Sequence, residues 1–112
     1  MKYSIEWYED RIKGMERGLY RLKDVNAPNI KKNTTDKIEL YKSIVKASKA
    51  NNVVRVNVIS IEGHPIEAVE SIGMKVLLCE YVPIADCAFM LVDKIIEPIP
   101  NFITKSNYKL TV

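Results

Sequence analysis

Ile5, Tyr8, Ile12, Met15, Leu19 and Leu22 step by three and four residues near the start of the chain. That spacing holds one stripe in register over about five turns of helix, so the rest of the chain must supply a cover for it. The stripe predicts a helix from Ser4 to Lys23. Ser4 offers the N-cap oxygen, Glu6, Glu9 and Asp10 crowd the first turns, and Arg17, Arg21 and Lys23 fill the last ones. Both charge placements suit the helix dipole. Lys2 to Tyr8 also alternates as a strand would, with Tyr3, Ile5 and Trp7 on one side, which leaves residues 4–8 between helix and strand.

On a helical wheel, Trp7, Arg11, Gly14 and Gly18 line one shoulder of the stripe. Two glycines inside a helix cost about 1 kcal/mol each relative to alanine. Two explanations compete: close packing of the helix on its own sheet, or a subunit interface with the glycines at the crossing point. Trp7, Arg11, Gly14 and Gly18 are the candidate interface. The Gly-x-x-x-Gly spacing is a strong signal only inside a membrane span, and this helix is charged.

The chain has 112 residues, 47% of them hydrophobic, which is enough for one domain (residues 1–112) with its own core. It has neither an apolar run long enough to span a membrane nor the apolar stretch of a signal peptide, so a cytoplasmic protein without a membrane partner is expected. Cys79 and Cys87 are too few for a disulfide scaffold. Residues 1–55 hold 13 Lys/Arg against 7 Asp/Glu, and residues 56–112 hold 4 against 7. A basic half joined to an acidic half can face an acidic partner or a second copy.

After a connector from Asp24 to Asn33, a second helix is expected from Asp36 to Ala50, with Asp36 and Glu39 placed as a capping box. Lys42, Lys46 and Lys49 form a stripe on its flank, either a solvated face or an edge for phosphate. Val53 to Ile61 alternates as a strand, with Val54, Val56 and Val58 on one side and Arg55 and Asn57 on the other. Pro65 to Gly73 predicts a short helix, proline at its first position and glycine past its end. Lys75 to Val82 is almost continuously apolar and predicts a covered, central strand, reached from the previous one by a parallel crossover. Ala88 to Ile96 is a strand, or a helix capped by Asp86, and Asn101 to Val112 a last strand. The fold expected is α+β: two N-terminal helices packed on a mixed sheet of about four strands, with a short crossover helix.

The chemistry legible in the chain is thin. His64 is the only histidine, placed at a helix start where it can cap or titrate. Cys79 and Cys87 lie in apolar runs, which raise rather than lower a thiol pKa; a hairpin about Pro83 would set them face to face. No phosphate-cradling glycine loop and no paired-cysteine metal spacing occurs, so neither a cofactor nor a metal is expected. Arg55 and Asn57, on one side of a strand, can pair with phosphate or carboxylate, and with Lys42, Lys46 and His64 they form the candidate ligand site.

The pattern favours a non-enzymatic interaction protein, working as a homo-oligomer on a protein or phosphorylated ligand. The absence of glutamine and the wealth of Lys, Ile and Asn fit an AT-rich genome, such as those of many phages, mobile elements or thermophiles, and small proteins of this kind are common as phage or mobile-element inhibitors of host systems. One alternative is a nucleic-acid-binding regulator using Lys31, Lys32, Lys42, Lys46, Lys49 and Arg55. Another is a small-ligand or enzymatic site near His64, Arg55 and the cysteines.

Overall fold

The computed structural model describes residues 3–110; the expected alternation at Lys2 and the end of the last strand at Thr111 and Val112 lie outside them. Helix α1 runs Ile5–Arg21, with the Ser4 hydroxyl accepting a hydrogen bond from the Trp7 N–H at 3.1 Å. That cap decides residues 4–8 in favour of helix.

Helix α2 runs Pro28–Lys49 and so begins a full two turns before the expected start at Asp36. Proline at its first position needs no N–H partner and arrives with helical φ, so the apparent connector is already helix. Asp36 and Glu39 therefore lie inside the helix rather than in a capping box, and the Thr35 hydroxyl donates back to the Lys31 carbonyl at 2.8 Å.

The remaining elements are β1 Val53–Asn57, α3 Pro65–Ser71, β2 Val76–Val82, β3 Cys87–Val92 and β4 Ile103–Ser106. Val58–Ser60 is a single 3-10 turn instead of a continuation of β1. The 88–96 run forms a strand only to Val92, and the last strand shrinks to four residues. The sheet order is β2-β3-β1-β4, and every pairing is antiparallel. The architecture is α+β, three helices among the described residues on a four-stranded antiparallel sheet. The expected mixed sheet fails on one point. β1 and β2 do run the same way, joined across α3, but β3 lies between them, so no parallel ladder forms.

β2, apolar on both sides, was expected at the centre; it is an edge strand. It is apolar because helices partly cover both its faces, α2 on one and α3 on the other, although Tyr81 stays exposed. The central strands are β3 and β1, where Val54, Val56, Ala88, Met90 and Val92 have no measurable exposure.

The sheet carries two cores. Val54, Val56, Ala88, Met90, Val92 and Ile103 pack with Val69 of α3 and Met74 on one face. Val53 and Leu91 pack with Tyr8, Ile44 and Ala47 on the other. The two long helices thus sit on the Val53–Arg55 side, and the side bearing Val54 and Val56 packs against α3.

Their grip on the sheet is local. It involves Trp7 and Tyr8 at the start of α1 and Tyr41, Ile44, Val45 and Ala47 towards the end of α2. From Pro28 to Leu40, α2 carries about 20 Å of further helix at 1.5 Å per residue, paired with the rest of α1. The molecule accordingly measures 52 × 25 × 25 Å, with a radius of gyration of 16.4 Å. A compact chain of this size would have about 13 Å. The helical hairpin is an arm that reaches beyond the sheet. No helix among the described residues is long and apolar enough to cross a membrane.

Candidate functional site

Along the arm, Ile12 and Ile38 are the residues of this stretch that become buried. Met15, Leu19 and Leu22 stay half-exposed, and Tyr20, Val25 and Ile30 near the tip are exposed. Two helices cover only part of each other's apolar stripes, and here no third layer lies beneath them.

The two lips of the α1–α2 groove differ. One is laced by ion pairs, Lys42–Glu16 at 3.5 Å and Lys49–Glu9 at 3.7 Å. The other begins at the base with Trp7, stacked on Tyr3 and 6.0 Å from the Tyr41 ring, with the Arg11 guanidinium 5.5 Å from the indole centroid. By helical geometry this second lip continues through Gly14 and Gly18. A Cβ at either glycine would meet nothing within 4 Å. Close packing of α1 on its own sheet therefore does not explain them: the surface over both is open.

The residues expected to form one ligand site are not brought together. Arg55 is exposed at the middle of the sheet, in a cross-strand row with Glu80, Phe89 and Thr104. Asn57 shares its side of β1, but its side-chain oxygen accepts from the Ile59 N–H at 3.3 Å and caps the turn. Lys42 is engaged with Glu16, while Lys46 stands exposed on the same flank of α2. His64 is the N-cap of α3, packed over the valine side of the sheet, its Nδ1 accepting from the Ile66 N–H at 3.2 Å. A ring nitrogen used in this way is satisfied by the fold.

Cys79 is aligned with Met90, and Cys87 with Val82 and Asn57. The two thiols lie on opposite faces of the sheet, not across from each other. Burial pushes the Cys79 thiol above its ordinary value, the reverse of an activated nucleophile. Among the described residues, no group of three His, Cys, Asp or Glu side chains is arranged to hold a metal. Two members of the lysine stripe, Lys42 and Lys49, face carboxylates, which weakens the flank as a phosphate-tracking edge.

One feature left almost no trace in the sequence. A cavity of about 730 Å³ opens between the first turn of α1, the last turn of α2 and the tail after β4. Both helix ends, the tail and one residue from each of β1, β2 and β3 build it, so no local motif announces it. The one signal was Tyr8, a residue with a hydroxyl set in the middle of an otherwise apolar stripe.

The sequence matches no family model, and neither curated proteins nor solved structures offer a significant match.

Proposed function

We propose that this is a non-enzymatic interaction protein that assembles with a second copy of itself through the Gly14–Gly18 lip of its arm. The open space over these two glycines carries the reading, since a helix can approach there to backbone distance. Charge supports a second copy as the occupant. Asp10 and Arg21 lie on the same edge of the lip, at its two ends, and neither has an ion pair among the described residues. Two α1 helices crossing antiparallel at the glycines bring Asp10 of each copy beside Arg21 of the other, twice over. The helix dipoles also oppose favourably in that arrangement. The exposed Arg55 side chain is then left for a protein or phosphorylated partner.

Native mass spectrometry and light scattering on the wild type and on Gly14→Leu/Gly18→Leu test the assembly. Because a Cβ meets nothing within 4 Å at either glycine, the variant should keep its helix content while the mass falls from dimer to monomer. A wild type that is monomeric at all concentrations, or a variant that dimerises unchanged, would overturn the proposal.

A further inference from the structure

We propose that the tip of the arm docks head-to-tail on a second copy, at the end of its sheet where β1 stops and β3 starts. The contact joins a basic apolar surface to an acidic apolar one. At the tip, Tyr20, Val25 and Ile30 are exposed. The turn between the helices draws this region together. The Lys31 ammonium donates to the Lys23 carbonyl at 3.4 Å, and Lys23 Nζ lies 4.4 Å from the Tyr20 ring centroid. Arg17, Lys23, Lys31 and Lys32 lie on the same turns, and Asp24 is the one acid between residues 17 and 32. None of these four cations has an ion pair among the described residues. The arm carries the tip clear of the sheet, so its own protomer does not cover it.

The complementary surface is made by two short turns lying side by side. Val58–Ser60 follows β1, Pro83–Ala85 joins β2 to β3, and the Val58 N–H donates to the Asp86 carbonyl at 3.0 Å. Ile84 is fully exposed, Ile59 is 74% exposed, and Tyr81, two residues before the second turn, is 52% exposed. Large apolar side chains exposed in a group mark an interaction surface. The surrounding charge is the opposite of that at the tip. Residues 56–93 hold six Asp/Glu against one Lys/Arg. Glu62 and Asp86, beside the two turns, have no ion pair among the described residues.

Opposite charge selects tip for sheet end, and like charge keeps tip from tip. The chain itself thus supplies the complement of each surface, which makes a second copy the occupant. Because the two surfaces differ, the contact is heterologous and can repeat from copy to copy. Three apolar side chains a side fall well short of a standard interface, so the contact forms only at high protein concentration and low salt. It is separate from the assembly proposed above. Tyr20 stands one turn beyond Glu16, on the lip away from Gly14 and Gly18.

The test uses the full chain carrying Gly14→Leu/Gly18→Leu, which removes that other assembly and leaves both surfaces in place. In sedimentation equilibrium at low salt, its mass should rise with concentration. It should fall again at about 1 M salt, where charges act over only about 3 Å. In the same background, Ile30→Glu/Lys32→Glu disables the tip and Ile59→Ser/Ile84→Ser disables the sheet end. All four positions are exposed, so circular dichroism should not change. Each variant alone should associate about tenfold more weakly or worse, as loss of central contacts implies. Mixed, the two should pair one to one and stop there, since the mixture holds one intact surface of each kind. A monomer mass at every concentration would overturn the proposal, as would a mixture that associates no better than its parts. Binding of the tip to anionic vesicles or to an oligonucleotide, with self-association absent, would overturn it too.

Discussion

The arm and the sheet both carry apolar residues on one side or the other, yet they bury them very differently. In the sheet, six residues of the valine-side core have no measurable exposure, because α3 and the chain around Met74 close over them. In the arm, stripes of comparable length meet only each other, and most of their apolar residues stay half-covered. A helical stripe is thus a statement about what a segment needs, whereas burial depends on how many layers the fold supplies. The sheet is held by its own packing; the arm is held by one cluster of rings and aliphatic side chains at its base.

The sharpest way to break this contrast is a pair of matched truncations. Met90→Ala, at a position with no exposure, should destabilise by about 2–5 kcal/mol, as large-to-small changes in closed cores do. Met15→Ala, half-exposed on the arm, should cost under about 1 kcal/mol. Denaturant melts of the two variants would decide it, and equal losses would mean that the arm packs as tightly as the sheet.

Alanine at the glycines sharpens the same contrast with a smaller effect. At concentrations where the protein is monomeric, Gly14→Ala and Gly18→Ala should each stabilise by up to about 1 kcal/mol, since the added methyl group meets nothing within 4 Å. Thermal melts at low protein concentration read this directly, and a loss instead of a gain would show that the lip is already covered within one chain.

The gentlest test is alkaline pH. Cys79 and Tyr8 both have pKa values raised by burial, from ordinary values of 9.0 and 10.0. For both, the native state favours the neutral, protonated form. Their contribution is fully present below the ordinary values and is lost as pH rises through the raised ones. Melting temperature should therefore be level towards pH 9.0 from below and fall above it, with Cys79→Ala and Tyr8→Phe each flattening the decline. Melts of these variants across the alkaline range would check it.

Much of this was legible from local pattern. The α1 stripe and its Ser4 cap, the proline-to-glycine span of α3 and the turn at Pro83 all stand as the residues imply, because each depends on neighbours close in sequence. Gly73, for instance, takes φ +98 just past α3, where a side chain would be strained. What failed were inferences about position in the sheet. The apolar run of β2 implies cover on both faces, and that is correct, but a covered strand is not thereby a central one. Pro28 misled in the opposite direction, marking a helix start where it read as a linker. The ligand constellation around Arg55 did not assemble, because His64 and Asn57 are used as caps and residue type alone does not tell a cap from a ligand. The cavity under Tyr8 depends on the tail meeting both helix ends, which no periodicity encodes.

The narrow seat of the helical hairpin also has a mechanical side. With about 20 Å of helix beyond the ring cluster, a tilt of about 10° at Trp7, Tyr8 and Tyr41 would carry the tip sideways by about 3–4 Å. Side-chain rearrangements of sub-ångström size beside Tyr8 would thus be geared up into a displacement that a neighbouring molecule at Tyr20 or Ile30 could register.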